Sequence, residues 1–461
     1  MQPEGRRSIS FLRQALWGLV LLAGANAVLI GSLAIVVPRD KLCAKITHAF
    51  AEGTLLTRDW PWHDEVRGID PYSDCALLQM SVFQANPAWK NAISSSLLGD
   101  VIPGEKPVSM CQVLREVCEH PGALDQHYRH YHRYWFGPRA VNAWLLGLLD
   151  IAPLRVLYKT SNYLCFALLA LLALRISLRL FVVALPISLA GIFASGISLF
   201  GPTLSHAPAN LWAFLGPAVL LGIGPRLSGA ALRGATLLVG CIAAYLDMMN
   251  ALPMNGALLV AFVYQLERER TGEGWTALRS TALALGAWAV GVVGTVLLKQ
   301  LIAAAAFGPA EVFSSFIGQL RFRLGASDQS ALGVEPSLAA PFLKLLHETP
   351  WLVHGSRPLA NLALILGAVG WVSATATAAW ERVRGRAPRH LADLAAMVLA
   401  CGVLLAWYVI FGSHTQIHSW FMVRPVFVPI ALGWTVVAAA LYDHLAGLRG
   451  DTAKAPIRGF E

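Results

Sequence analysis

Four stretches of the chain place ionisable and aromatic side chains at spacings that could do chemistry on an anionic substrate. The first, HDEVRGIDPYSDCALLQ, holds His63, Asp64, Glu65, Asp70 and Asp74. A carboxylate kept at a membrane surface can act as a general base on an acceptor hydroxyl, and Asp70 and Asp74 are the candidates. Asp74 also suits the N-cap of a helix beginning in the apolar run Cys75–Phe83, with the other acids as solvated loop charges. The second stretch, HYRHYHRYWFGPR, sets His132, Arg133, Tyr134 and Trp135 just before an apolar run. A guanidinium fork there would grip phosphate oxygens, braced by Tyr134 or Trp135. The same mixture also makes an ordinary interfacial belt.

In the third stretch, AYLDMMNALP, Asp247 ends an apolar run and Pro253 follows shortly. An ionisable group at membrane depth is costly to bury, so it either lines a cavity opened by the proline or caps a tight turn at the interface. The fourth, SHTQIHSWFMVRP, spaces His414, His418, Phe421 and Arg424 at i, i+4, i+7 and i+10, which one helix would stack along a face. Read so, Arg424 binds an anion and the histidines hydrogen-bond a headgroup. Two histidines one turn apart could also bind a metal, but no third ligand stands beside them at helical spacing. Lys299 ends a further apolar run, and Arg321 and Arg323 follow. Together they add cations, although a snorkelling side chain is the common explanation of Lys299.

The elements that must position these residues are set by composition. Of 461 residues, 56% are hydrophobic and only 14% charged, with a mean hydropathy of +0.56. Soluble domains carry roughly a quarter charged residues. Apolar runs recur at Ala15–Val37, Val156–Leu174, Leu180–Leu199, Leu211–Ile223, Ala235–Met249, Asn255–Leu266, Ala277–Leu298, Leu359–Ala379, Leu391–Phe411 and Pro425–Leu441. Runs near 20 residues match the roughly 30 Å of hydrocarbon that a helix must cross. The expectation is an all-α polytopic membrane protein of about ten spans, the pair around Asp247 short enough to be bent or broken. A soluble enzyme, a secreted disulfide scaffold and a porin are excluded. The first run ends in a signal-peptidase mimic, Ala25-Asn26-Ala27, yet continues well past it and reads as an uncleaved anchor.

The net charge of +9 lies where topology explains it, so no nucleic-acid partner is expected. Arg175 and Arg179, Arg226 and Arg233, Arg268, Arg270 and Arg279, and Arg382 to Arg389 all fall on one set of short connections, with the basic residues of both termini. The opposing connections Gly201–Asn210 and Asn250–Asn255 carry no Lys or Arg; Arg155 and Lys159 are a mild exception. By the positive-inside rule both termini are cytoplasmic, and segments 38–139 and 300–358 face outward. All 13 histidines except His390 and His444 then lie on the outer side. Cys43, Cys75, Cys111 and Cys118 lie in the first outer segment, as disulfides, free thiols or, with nearby histidines, a metal site; spacing does not fix a connectivity.

This order of elements resembles the GT-C-type integral membrane glycosyltransferases. Four motifs also resemble a group of poorly characterised bacterial membrane proteins: DPYSD (Asp70–Asp74), HRYWFG (His132–Gly137), YLDMMNALP (Tyr245–Pro253) and HTQIHSWFMVR (His414–Arg424). The resemblance implies one membrane-embedded GT-C-like domain over residues 1–461, with span 15–37 leading into a long loop that contains amphipathic helices. It implies a polyprenyl-phosphate-linked sugar donor, a glycan, lipid or protein acceptor on the extracytoplasmic face of the bacterial inner membrane, and membrane lipid around the chain. Asp70 or Asp74 would be the base, with Arg133, Lys299 and Arg424 on the donor phosphate. His132, Tyr134, Trp135, Asp247, His414 and His418 would complete the substrate site. The best-known relatives often carry their acid soon after the first span, where this chain has Asp40; Asp64 and Glu65 therefore stay in play. No cofactor is required by these residues, and a divalent metal is left open. A transporter or flippase of a lipid-linked or anionic solute is the competing reading, and an envelope assembly partner a third.

Overall fold

A computed structural model describes residues 4–33, 37–57, 70–83, 87–98, 109–120, 128–132, 135–247, 249–325, 333–384 and 389–448. The chain opens with α1 (Glu4–Leu33). The segment that follows folds as α2 (Arg39–Ala51), α3 (Pro71–Val82), α4 (Ala88–Ile93), β1 (Ser95–Leu97), α5 (Met110–Glu119), β2 (Arg129–Tyr131) and α6 (Gly137–Leu146). Next come α7 (Ile151–Ile176), α8 (Leu178–Ala194), α9 (Ile197–Phe200), α10 (Ala207–Ile223), α11 (Gly229–Leu246), α12 (Leu252–Thr271) and α13 (Gly274–Phe307). The remainder is α14 (Pro309–Arg323), α15 (Ala340–Glu348), α16 (Arg357–Val383), α17 (Arg389–Ile410), α18 (Gly412–Ile417), α19 (Ser419–Met422) and α20 (Phe427–Leu448).

The protein is an all-α multi-pass membrane protein. Eight helices among the described residues are long and apolar enough to cross a bilayer: those within α1, α7, α10, α11, α13, α16, α17 and α19–α20. The other two expected runs are also helical. At 17 residues α8 is shorter, and α12 ends in the charged sequence Glu267–Arg270. Almost every residue of α12 from Leu252 to Glu267 is buried, which makes it the central post against α10, α13 and α17. A helix apolar all round belongs inside such a bundle. Leucines and valines exposed on α7, α13 and α16, such as Leu171, Val293 and Leu362, are the counterpart that faces lipid. Close packing of α11 on α13 depends on glycine. A Cβ on Gly240 would lie 2.3 Å from the Trp288 carbonyl oxygen, and one on Gly291 2.2 Å from that of Leu237.

One end of the bundle is tied by charge. Arg179, in the first turn of α8, donates to Asp443 of α20 (3.0 Å) and Glu269 of α12 (3.3 Å), and lies 3.9 Å from Asp393 of α17. Asp393 also accepts from the Tyr264 hydroxyl (2.5 Å) and bonds to His390 (2.8 Å). The start of α8, the end of α12, the start of α17 and the end of α20 are therefore gathered at a common end.

The segment 38–146 packs around a second core, built on Leu42, Ile46, Leu77, Leu78, Met80 and Leu114 and shared with Ile151, Leu154 and Tyr158 of α7. Two disulfides, Cys43–Cys118 and Cys75–Cys111, cross-link it. Both of the bonds that four cysteines permit are made, neither between the near neighbours Cys111 and Cys118. The pairing removes the reading of these cysteines as metal ligands. Helix α5 is amphipathic and starts with a reciprocal capping box between Ser109 and Gln112.

Candidate functional site

Asp70 is the N-cap of α3. Its Oδ1 accepts from the Ser73 N–H at 2.9 Å, and Pro71 supplies the preset φ of a first helical turn. Its other oxygen, Oδ2, lies 3.0 Å from Nε2 of His206, the residue before α10. The Asn250 amide donates to Nδ1 of the same ring at 2.7 Å, so the ring proton sits on Nε2 and points at Asp70. Burial acts to raise the Asp70 carboxyl, but the His206 bond, with that from Ser73, holds it below the usual carboxylate range. Asp70 is a buried, ionised carboxylate whose imidazole partner has a fixed tautomer.

Asp74, one helical turn on, is fully buried and has both oxygens occupied. Oδ1 accepts from the backbone N–H (2.8 Å) and hydroxyl (3.0 Å) of Ser205, and Oδ2 pairs with Arg155 at 3.0 Å. Burial pushes its pKa up, against Arg155 and Ser205. Asp74 pins α3 to α7 and to the residues leading into α10. It also accounts for Arg155, the basic residue that departs from the loop-charge pattern.

The break between α11 and α12 spans Asp247 to Ala251, with Met249 in the left-handed region at φ 74°. The Asp247 carboxylate accepts the N–H groups of Asn250 (2.9 Å), Ala251 (3.0 Å) and Leu252 (2.7 Å). It thus caps the orphan donors at the start of α12 and meets the positive end of its dipole. The cap and the break expected at Pro253 occur together, and the break brings Asn250 onto His206.

The stretch His414–Arg424 is not one helix. It runs as α18, α19 and a 3-10 turn, Arg424–Val426, with the chain bent at His418. Pro425 cannot donate to the Phe421 carbonyl, and that carbonyl takes the Arg424 Nε–H instead, at 2.8 Å. The stripe survives the bend. The ring of His418 lies 4.7 Å from that of His414 and 5.0 Å from that of Phe421, and the Arg424 guanidinium sits 5.8 Å from Phe421. His206 packs on Phe421 at 5.0 Å, which joins the stripe to the Asp70 pair. Burial, with Arg323 and His206 nearby, pushes His418 down to about 3, so it stays neutral.

Arg424 Nη1 donates to Asn210 at 2.8 Å. Among the described residues, its buried Nη2 and both buried ring nitrogens of His414 have no hydrogen-bond partner. A small cleft beside the guanidinium is lined by Ser195, Phe200, Asn210, Phe214 and Met254. Ala194, next to Ser195, lines an apolar groove of about 780 Å³ between α8, α16 and α20, walled by Leu185, Phe193, Leu362 and Trp434.

The other expected residues lie elsewhere. Lys299 is buried and donates, with Gln300, to the His132 carbonyl; it neither snorkels nor joins Arg424. His132 bonds to Ser94 and Glu311, and the buried Trp135 N–H donates to the Thr295 carbonyl. Arg133 and Tyr134 lie outside the described residues, as do His63, Asp64 and Glu65. The sequence reading missed His206, Asn210 and Asn250. The signal for the first two was GPTLSHAPAN, a polar, proline-bearing link between apolar runs that was used only for its lack of Lys and Arg. Comparison with protein-family models, curated proteins and solved structures finds no match to this chain.

Proposed function

We propose that the protein is a GT-C-type membrane glycosyltransferase that moves a sugar from a polyprenyl-phosphate donor to an acceptor hydroxyl on the extracytoplasmic face. The observation that carries this reading is the convergence of Asp70–His206 with Arg424, whose buried Nη2 has no partner among the described residues; an apolar groove that includes Ala194, next to Ser195 of the Arg424 cleft, supports it. A lipid-linked donor needs those three parts: a base, a cation for phosphate and an apolar track for its tail.

In this mechanism Asp70 accepts the proton of the acceptor hydroxyl. Both its oxygens keep a lone pair beyond the bonds to Ser73 and His206. The acceptor oxygen attacks the anomeric carbon, the bond from that carbon to the phosphate oxygen breaks, and the lipid phosphate leaves toward Arg424. The single displacement inverts the anomeric centre. His206 keeps Asp70 ionised, Asp74 positions α3, and His414 and His418 hydrogen-bond the donor headgroup. No step calls for a cofactor. By the positive-inside rule, the four basic connections support a cytoplasmic position for that end of the bundle and for both termini.

Purified protein in lipid nanodiscs tests the reading with a panel of polyprenyl-phosphate sugars. Asp70→Asn is expected to lower kcat by roughly 100-fold or more, within the usual reach of general-base catalysis. Arg424→Ala should raise the donor KM about tenfold or more, the loss of a charge-assisted hydrogen bond. Full activity of Asp70→Asn removes the base, and an unchanged donor KM removes Arg424 from the phosphate site. The chain breaks at Asp247–Ala251 and around His418 also suit a flippase of the same lipid. That reading predicts lipid translocation without new glycosidic product.

A further inference from the structure

Away from the Asp70 pair, two histidines and a carboxylate from separate parts of the chain meet at a single point. His130 belongs to β2, His132 follows that strand, and Glu311 lies in the first turn of α14. Oε1 of Glu311 is 2.9 Å from Nε2 of His132 and 3.1 Å from Nδ1 of His130, and the three ligand atoms all lie within 4.8 Å of one another. We infer that His130, His132 and Glu311 bind a divalent zinc-class cation that ties β2 to α14.

The donor set is two imidazoles and one carboxylate, the mixture that zinc and its neighbours prefer over calcium or magnesium. A tetrahedral zinc ion with bonds of about 2.0–2.1 Å holds its ligand atoms roughly 3.3–3.4 Å apart. The two contacts to Glu311 need to widen by only a few tenths of an ångström to meet that spacing. Three protein ligands leave a fourth place for water. The ring of His132 is already aimed. Its Nδ1 bonds to Ser94 Oγ at 2.7 Å, the kind of outer partner that fixes which nitrogen faces a metal. Its backbone carbonyl is held by Lys299 and Gln300. Phe307 packs on both rings, at 4.5 Å from His130 and 5.1 Å from His132. Glu311 is 51% exposed, so an ion can arrive from solvent and the carboxylate can swing onto it.

The pairing of β2 with β1, Ser96 opposite His130, carries the link into the disulfide-bonded segment. The ion would join that segment to the region after α13. This inference stands apart from the proposed sugar transfer and needs no part of it.

The test uses full-length protein without a polyhistidine tag, stripped with chelator and dialysed against Zn²⁺ or Co²⁺. Wild type should retain about one equivalent per chain, the Co²⁺ form should show the intense visible bands of a low-coordinate N/O site, and the melting temperature should rise with metal. Glu311→Gln, at an exposed position, and His130→Asn, at a half-buried one, should lose the ion and the thermal shift while melting like metal-free wild type. Asp70→Asn and Arg424→Ala should retain both. No retained metal in wild type, or equal retention in Glu311→Gln and His130→Asn, overturns the site.

Discussion

His206 is held from both sides, and that makes its substitution informative. With Asn250 on Nδ1 and Asp70 on Nε2, the ring works as a fixed donor to a buried carboxylate. His206→Ala would leave Asp70 buried with one donor fewer, so its pKa should rise from its lowered value toward and beyond 3.8. The sign follows from linkage. A depressed carboxylate contributes stability that is present above its unfolded pKa and lost as the pH falls through its folded one. Wild type should therefore keep this contribution at neutral pH and lose it only in acid. His206→Ala should lose roughly 1.5–3 kcal/mol at neutral pH, the worth of a hydrogen bond to a charged group. The acid limb of its kcat/KM profile should move to higher pH. An unmoved limb would show that Asp70 is not the titrating base. None of this was readable from residue types alone. Asp70 and Asp74 look equivalent in DPYSD, and only contacts from residues 81 to 136 positions away separate a carboxylate with spare lone pairs from one locked by Ser205 and Arg155.

At the scale of elements, legibility depended on whether a signal was local. Apolar period and length gave the helices, and the break after Asp247 followed from one aspartate and one proline. The histidine–arginine stripe kept its spacing and lost its helix: the chain bends at His418, and Pro425 removes the backbone bond to Phe421 at the far end. The cysteine pairing was not legible, because it depends on how α2, α3 and α5 pack. Two element-scale consequences can be measured. Asp247→Ala strips three backbone N–H groups of their acceptor and should cost about 1–2 kcal/mol at the start of α12, the usual worth of a lost cap. The same change frees Asn250 and His206, so activity should fall further than stability does; equal and small losses would make Asp247 a cap alone. Reduction of the two disulfides opens loops of 75 and 36 residues. The chain-entropy estimate is about 4 kcal/mol for each. Limited proteolysis under dithiothreitol should then cut within residues 38–146 and spare the helices from α7 on.

Over the whole molecule, the two ends of the bundle are built for different work. At one end Arg179 draws three carboxylates from α12, α17 and α20 together, so its charge is met by the protein's own charges. At the other, Arg424 and His414 are buried with polar atoms that have no partner among the described residues, beside two interruptions of helix. A cation matched by carboxylates rigidifies its surroundings, whereas Arg424, bonded only to the neutral Asn210 and Phe421 oxygens, has charge left for an anionic ligand. The division predicts opposite responses to substitution. Arg179→Ala takes the shared guanidinium from the buried Asp393 and the half-buried Glu269 and Asp443, and should cost about 3 kcal/mol, the low end for a broken buried pair. That loss should appear as faster thermal inactivation in detergent, with the initial rate of the still-folded fraction unchanged. Arg424→Ala removes a buried charge that the protein itself only partly satisfies, so the variant should be as stable as wild type or more so, with its loss confined to donor binding. If Arg179→Ala instead slowed turnover at full stability, the clamped end would be coupled to the site through α12, and a mechanism in which both ends move together would be the better description.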